Sequence, residues 1–193
     1  KWNISNSRLY LQNRKEKKAY FELESIDNNT KYNDFVITSL RTTRGMNLKT
    51  VLTPETVNLH LKGTTKEEII DEMLEVLIAA GKVSDKAAAR ECVLDRERKM
   101  STGMKHGIAI PHGKTDTVSD LVACIGISDN PVDFDSLDQE PCRIFIMTLS
   151  PVNKTGPHLQ FLAEVSLLFK SAEKRQEILK TTDKAEVIKI LTE

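Results

Sequence analysis

His112 is the residue of this sequence best suited to chemistry. It follows an apolar run, Gly107–Ile110, and stands between Pro111 and Gly113. Proline fixes the backbone before the histidine, and glycine leaves room for a bulky group after it. A neutral imidazole, with an ordinary pKa of about 6.5, is nucleophilic near physiological pH, and its phosphorylated nitrogen remains a good leaving group. An ordinary polar histidine at the end of a strand is one interpretation of this segment, and a histidine that accepts and passes on a phosphoryl group is the other.

Such a histidine needs hydrogen-bond donors and positive charge around the oxygens of the group in flight. A guanidinium suits these oxygens well because it is planar and always charged. Arg96 is the first candidate, although its run of alternating charges would ordinarily be a solvated helix end. We also predict phosphoryl-binding roles near the motif, and the candidates are Lys114, Ser101, Thr102 and the backbone amides at Gly103 and Gly107.

A zinc site built from His106, His112 and His158 is the competing interpretation of the histidines. Three histidines can hold a catalytic zinc ion. The spacing of the first two fits neither a helical i,i+4 pair nor a usual metal motif. We therefore predict no metal and no organic cofactor, and we expect His60 and His106 to be ordinary polar residues.

Composition limits the class of partner. The 193 residues are 39% hydrophobic and 29% charged, and 28 basic residues balance 28 acidic ones. These values are typical of a globular protein and give no basic surface for nucleic acid. The apolar runs are too short to enter a bilayer, and no signal region is evident, so we expect a cytoplasmic protein. The three cysteines show no paired spacing, which predicts buried free thiols at Cys92, Cys124 and Cys142.

The first half of residues 46–193 predicts a strand and two helices. Alternating residues indicate a strand over 57–61, and Thr65 with Glu68 forms a capping box for a helix over 66–80. Gly81 supplies the stop for that helix. A second helix is expected to begin near Ser84-Asp85 and to run through Arg98.

The second half predicts core strands followed by helices. Three segments rich in β-branched and apolar residues are separated by turn residues, and they are Gly107–Ile110, Asp120–Ser128 and Pro141–Leu149. Helical spacing resumes after Pro157, and Asp183–Glu186 indicates a capping box for a last helix. The order predicts an α/β fold, a central mixed β-sheet flanked by helices, preceded by a short N-terminal extension.

Residues 1–45 differ from the rest, being polar, modestly basic and rich in aromatic residues. A short strand over Tyr20–Glu24 and a short helix over Asp34–Leu40 are the elements that we predict there. We therefore divide the chain into an extension or domain remnant, residues 1–45, and a main domain, residues 46–193. Lys1–Asn6 and Tyr32–Gly45 resemble the C-terminal region of radical-SAM coproporphyrinogen oxidase-like proteins, without cysteines for an iron–sulfur cluster.

The main domain resembles the type-2 EIIA family of the bacterial phosphotransferase system, which includes fructose, mannitol and nitrogen-regulatory members. The resemblance lies in the order and spacing of several motifs, which are Arg96-Glu97, Ser101-Thr102-Gly103, Gly107–Gly113, Asp133–Asp138 and Pro157-His158-Leu159. It implies that His112 is the phosphorylated histidine, that His158 is the second active-site histidine, and that Arg96 is the active-site arginine. A capping or surface role is the alternative for His158.

The resemblance also implies partners. An HPr-like phosphocarrier would supply the phosphoryl group, and an EIIB-like subunit would accept it on a cysteine or histidine. His106 stands where sugar-specific members can carry an acidic residue, which weakens a mannitol-type assignment. The alternative is a nitrogen-type regulatory IIA protein, which would control a transporter or kinase by phosphorylation-dependent binding.

Overall fold

The structure is a computed structural model that describes residues 48–192, with the side chain of Lys49 excepted. The strand predicted over Tyr20–Glu24 and the helix predicted over Asp34–Leu40 lie outside the described residues. The same holds for Lys1–Asn6 and Tyr32–Gly45, the segments that resemble radical-SAM coproporphyrinogen oxidase-like proteins.

Helices and strands alternate through the described residues in the order that an α/β domain requires. A short helix α1 and a 3-10 turn, Pro54–Thr56, precede the first strand. The elements are α1 Leu48–Val51, β1 Val57–Leu61, α2 Lys66–Ala79, α3 Lys86–Lys99, β2 Ile108–Ala109, β3 His112–Lys114, β4 Val122–Val132, β5 Cys142–Ser150, α4 Thr155–Leu168, α5 Ala172–Lys180 and α6 Lys184–Thr192.

The strands form one mixed sheet in the order β1-β4-β5-β2, with β3 also paired to β5. Strands β1 and β4 are parallel, β4 and β5 are antiparallel, and both β2 and β3 run parallel to β5. The central mixed sheet predicted from the sequence is therefore confirmed.

Helices cover both faces of the sheet, as predicted. Successive side chains of a strand point to opposite faces, so Phe145 and Met147 of β5 enter one core cluster while Ile144 and Ile146 enter the other. The first cluster includes residues of α2 and α3, and the second includes residues of α1, α4, α5 and α6. Strand β5 is buried on both sides, as a central strand should be.

The capping residues predicted for α2 and α3 are found at the starts of these two helices. Thr65 forms the predicted capping box with Glu68, and α2 ends at Ala79, just before Gly81, which has a φ of 67°. The Asp85 side chain accepts a hydrogen bond from the Ala88 amide at 3.0 Å and caps α3.

The predicted strand over Gly107–Ile110 is shorter than expected. Only Ile108 and Ala109 pair as β2, because Gly107 has a φ of 75° and Pro111 has no amide hydrogen to donate. Pairing with β5 resumes at His112, which stands opposite Thr148. The site histidine is thus the first residue of β3, a strand that the sequence analysis did not identify.

Candidate functional site

The His112 ring is held by the backbone just before it. Its Nδ1 lies 2.7 Å from the Ile110 carbonyl oxygen. A carbonyl oxygen only accepts hydrogen bonds, so Nδ1 must carry the ring proton while the ring is neutral. The lone pair therefore resides on Nε2, which becomes the nucleophilic atom of the ring.

The surroundings of His112 also keep its ring neutral. The side chain is 7% exposed. Burial, followed by the nearby positive charge of Arg96, lowers the pKa of His112 to about 4, against the opposing effect of the Ile110 hydrogen bond. At neutral pH the ring is therefore an uncharged base with a free lone pair.

His158 meets His112 from a different element, the first turn of α4. The two ring centroids lie 5.4 Å apart, with the rings tilted by 54°. His158 is fully buried, and its Nδ1 lies 2.8 Å from the Ser150 hydroxyl. Its Nε2 is buried and has no hydrogen-bond partner within residues 48–192. A buried polar atom of this kind requires an explanation, and a ligand between the rings would provide one.

Burial is also the main reason that His158 is uncharged. Burial, followed by the nearby His112, Lys114 and Arg96 in that order, lowers the pKa of His158 to about 3. Positively charged or chargeable groups therefore act on the His158 ring. This positive potential disfavours another proton on the ring and favours an anion, such as a phosphoryl group.

Arg96 lies in the last turn of α3. Its positive charge lowers the pKa of both histidines. The side chain is half-buried, and Nη1 donates to the Met100 carbonyl oxygen at 2.9 Å. The structure thus brings His112 and His158 together, and Arg96 acts electrostatically on both rings, whereas the roles that the resemblance implies for these residues stay predictions.

A close contact between α3 and β3 sets the position of Arg96. A Cβ atom on Gly113 would lie 2.6 Å from Cys92 Sγ and 3.2 Å from the Cys92 backbone carbon, so only glycine allows this approach. Cys92 precedes Arg96 by one helical turn, and Gly113 directly follows His112. The contact therefore fixes the spacing between α3, which carries Arg96, and β3, which carries His112.

Ser101 and Thr102, which were predicted to bind the phosphoryl group, both use their hydroxyls in other hydrogen bonds. The hydroxyl of Ser101 donates to the Phe134 carbonyl oxygen, and the hydroxyl and amide of Thr102 donate to Glu97 Oε2. Thr102 lies near the motif, because its carbonyl oxygen accepts from the Ile110 amide at 3.0 Å. A phosphoryl-binding role for either hydroxyl would require one of these bonds to break, and it stays a prediction.

The structure does not bring Gly107 to the histidine. Gly107 precedes β2, and its carbonyl oxygen accepts from the Arg143 and Ile144 amides at the far end of β5. At about 3.3 Å per residue, this places Gly107 roughly 15 Å along the sheet from His112. The adjacent His106 is exposed, and its amide donates to Asp138 at 2.8 Å.

Metal coordination was the competing interpretation of the histidines. Within the described part of the chain, no group of three or more His, Cys, Asp or Glu residues is arranged to hold a metal ion. His106 lies with Gly107, away from the other two histidines.

A family model matches almost all of the described residues. Residues 50–193 match the family model described as "Phosphoenolpyruvate-dependent sugar phosphotransferase system, EIIA 2". The chain belongs to this family. It is therefore a phosphotransfer component of that system, and residues 48–192 form a mixed α/β IIA domain.

Two relatives in sequence carry fructose-specific names. This IIA domain is 36% identical over 148 residues to the "PTS system fructose-specific EIIABC component" of Bacillus subtilis, an alignment that covers 77% of this chain and 23% of that protein. It is 34% identical over 146 residues to the "PTS system fructose-specific EIIA component" of Haloferax volcanii, covering 76% and 95%. The chain therefore spans less than a quarter of the Bacillus protein but nearly all of the Haloferax protein.

Solved structures include both regulatory and sugar-specific IIA proteins. The nitrogen regulatory protein IIA-Ntr of Neisseria meningitidis superimposes with a TM-score of 0.71 at 28% identity, over 75% of this chain and 99% of that one. The Escherichia coli enzyme IIAMTL, in complex with phosphorylated enzyme IIBMTL, gives 0.63 at 26% identity, over 72% and 96%.

The sequence analysis did not identify a set of contacts around the buried residue Glu97. Glu97 is buried, and it accepts from Thr102 and pairs with Lys66 Nζ at 3.0 Å. Lys66 also lies 2.6 Å from Asp135. This network ties the end of α3 to the loop before β2, and α2 to the loop after β4. The signal present in the sequence was the adjacency of Arg96 and Glu97, but nothing local indicated that Glu97 is buried.

The cysteine prediction is confirmed in part. Cys124 and Cys142 are free and buried, whereas Cys92 is free and half-buried. Burial raises the pKa of the Cys92 thiol to about 11, so this thiol packs rather than reacts.

Among residues 48–192, no helix combines the length and apolar character needed to cross a membrane.

Proposed function

We propose that this IIA domain is a cytoplasmic phosphocarrier in which Nε2 of His112 takes a phosphoryl group from a phosphohistidine of an HPr-like protein. The bond from phosphorus to the donor nitrogen breaks as the bond to Nε2 forms. The hydrogen bond from Nδ1 of His112 to the Ile110 carbonyl oxygen carries this proposal, because it leaves the lone pair on Nε2.

Arg96 and His158 have different roles in this proposal. The guanidinium of Arg96 offsets negative charge on the oxygens of the transferring group. His158 contributes a neutral ring whose buried Nε2 has no protein partner among residues 48–192 and is available to a phosphoryl oxygen. No metal or organic cofactor enters the step, since positioning and electrostatic stabilisation do most of the work in phosphoryl transfer.

The proposed acceptor is an EIIB-like subunit. A IIA protein of the same family and fold has been solved in complex with a phosphorylated IIB enzyme, which supports this kind of partner. In the second half-reaction the bond from phosphorus to His112 Nε2 breaks, and a cysteine or histidine of the acceptor forms the new bond. The imidazole of His112 is thereby restored with its proton still on Nδ1.

Labelling tests the acceptor histidine. The protein is incubated with the general phosphotransferase components and radiolabelled phosphoenolpyruvate. Wild type should take the label on His112, and His112→Ala should not be labelled. His106→Ala is the matched control, because that histidine lies just before the same extended segment and should leave labelling unchanged. Label that persists in His112→Ala contradicts the proposal.

A nitrogen-type regulatory role is the second candidate. The TM-score of 0.71 with a nitrogen regulatory protein and the non-acidic His106 favour it. In that case the phosphorylated and unphosphorylated forms would bind different partners. A pull-down with each form separates the two functions, because a sugar carrier should retain an EIIB-like protein, whereas a regulator should retain a transporter or kinase in one state only.

We also propose that residues 46–193 form the functional domain and that residues 1–45 are an accessory extension. The family match, which begins at residue 50, supports this boundary. A protein containing residues 46–193 alone should be labelled at the same rate as the full chain. A large loss of labelling would assign the first 45 residues a part in the transfer.

A further inference from the structure

Ser150 is held against the site by the same strand that positions His112. It is the last residue of β5, and it is fully buried. Lys114 stands opposite Ser150 and His112 stands opposite Thr148 in the pairing of β3 with β5. The Ser150 hydroxyl lies 2.8 Å from Nδ1 of His158. The serine therefore has a fixed position relative to both rings.

The contact between Ser150 and His158 can be made in two ways. Either the hydroxyl donates to an unprotonated Nδ1, or a protonated Nδ1 donates to the hydroxyl oxygen. In the first arrangement the neutral ring carries its proton on Nε2. In the second the proton is on Nδ1 and Nε2 carries a lone pair.

Counting unsatisfied groups favours the first arrangement. When the hydroxyl of Ser150 donates, that proton and Nδ1 of His158 are both satisfied, and only the Nε2–H of His158 lacks a partner. When Nδ1 donates, the serine proton needs a second acceptor, and His158 is the partner that the structure gives to this hydroxyl. Two buried groups would then be unsatisfied instead of one, which is the costlier state.

We propose that Ser150 is a positioning residue that holds His158 in the tautomer with its proton on Nε2, so that this N–H donates to an oxygen of the phosphoryl group on His112. The inference rests on the proposed function of His112. Phosphoryl oxygens at neutral pH are predominantly acceptors, so they need a donor on the facing ring. The other tautomer would place a lone pair against them and would repel them.

The opposite hydrogen bonds of the two histidines produce complementary rings. The Ile110 carbonyl oxygen accepts from His112 and leaves a lone pair on its Nε2, whereas the Ser150 hydroxyl donates to His158 and leaves a proton on its Nε2. The first ring can therefore bond to phosphorus, and the second can donate to its oxygens. Both assignments depend on burial keeping the two rings neutral.

Ring-nitrogen NMR tests this inference without any variant. A long-range proton–nitrogen correlation spectrum of unphosphorylated protein, labelled with ¹⁵N in the histidine rings, reports the tautomer of each ring. We expect His158 to be protonated on Nε2 and His112 on Nδ1. A His158 ring protonated on Nδ1 in the wild-type protein would overturn the inference.

A matched pair of serine variants tests the role in transfer. Ser150→Ala should give His158 a mixture of tautomers and should slow single-turnover phosphorylation about tenfold, because the facing donor is present only part of the time. Ser128→Ala is the control, since Ser128 is also a fully buried strand serine but bonds only to backbone. It should keep the wild-type tautomer and rate.

The outcomes separate this inference from the proposed function. If Ser150→Ala keeps the wild-type tautomer and rate, Ser150 does not position His158. If the tautomers are as expected but His112 takes no phosphoryl group, the tautomer assignment stands and the proposed function fails. If Ser150→Ala does not fold, the wild-type spectrum still decides the tautomer.

Discussion

His112 and His158 face each other with ring centroids 5.4 Å apart, one from the start of a strand and the other from the first turn of a helix. Each ring is hydrogen-bonded through Nδ1, the first to a backbone carbonyl and the second to a serine hydroxyl. Both Nε2 atoms are thus left for a shared ligand. Arg96 adds a permanent positive charge near the two rings, and this arrangement supports phosphoryl transfer.

Replacing Arg96 should slow the transfer without unfolding the domain. Arg96→Ala removes the permanent charge near both rings and should lower the rate of His112 phosphorylation by about 100-fold, the usual cost of losing one donor to a developing charge. Arg96→Lys should restore part of the rate, because it keeps the charge but not the planar fork. Single-turnover labelling measures both.

Arg98→Ala is the control for these variants. Arg98 lies on the same helix but is exposed and pairs with Glu91 and Asp95. Exposed pairs contribute little, so this change should leave the rate unchanged and the free energy of unfolding within about 1 kcal/mol. Equal slowing by Arg98→Ala would show that general charge, rather than the position of Arg96, matters.

Filling the contact between β3 and α3 should displace Arg96. Gly113→Ala places a methyl group 2.6 Å from Cys92 Sγ, and such overpacking costs about 1–3 kcal/mol. We expect it to lower the free energy of unfolding by that amount and to slow phosphorylation about tenfold. Cys92→Ala removes the sulfur, so the double variant should recover part of both losses.

Recovery in the double variant would show that the Gly113→Ala losses come from the contact with Cys92 rather than from a general disruption of the fold. Gly156→Ala is the matched control, because a Cβ there meets nothing within 4 Å. It should leave the rate unchanged and should not lower the free energy of unfolding, because alanine is favoured over glycine in a helix. If Gly113→Ala is as active and as stable as wild type, the close approach of the two elements has no role in positioning Arg96.

Stability should fall on acidification because two histidines are buried in neutral form. The pKa of His112 is about 4 and that of His158 is about 3, both below the unfolded value of about 6.5. Between pH 6.5 and pH 4 the unfolded state therefore binds more protons, so the free energy of unfolding decreases as pH falls. Each histidine should contribute a loss of about 1–2 kcal/mol between pH 7 and pH 5.

Urea unfolding at the two pH values measures this loss. His112→Gln should reduce it by about 1–2 kcal/mol, because one buried histidine no longer titrates. A wild-type protein equally stable at both pH values would contradict the burial of neutral rings at this site.

Local signals explain why much of the fold could be predicted. Thr65 and Asp85 cap their helices through residues only three positions away, and Gly81 ends α2 with its own backbone conformation. Strand β1 also follows a local alternation. Strand β3 could not be found in this way, because three residues after a proline carry no pattern and their pairing depends on distant β5.

The site residues also divide into those that could be recognised from their sequence neighbours and those whose roles depend on partners far away in the sequence. His112 was recognisable from its neighbours Pro111 and Gly113, whereas the association of Arg96 and His158 with it came from a family resemblance. The buried roles of Glu97 and Ser150 depend on partners from other elements, Lys66 and His158. Ser150 does not stand out by type or spacing, and Glu97 is marked only by its place beside Arg96.

The most direct test of the account is to locate the phosphorus atom in the phosphorylated protein. Phosphorus–nitrogen NMR on protein labelled in its histidine rings identifies the nitrogen that is bonded to phosphorus. We predict a bond to Nε2 of His112, with Nδ1 still protonated and bonded to the Ile110 carbonyl oxygen. A phosphoryl group on Nδ1 of His112, on His158 or on any other residue would contradict the account.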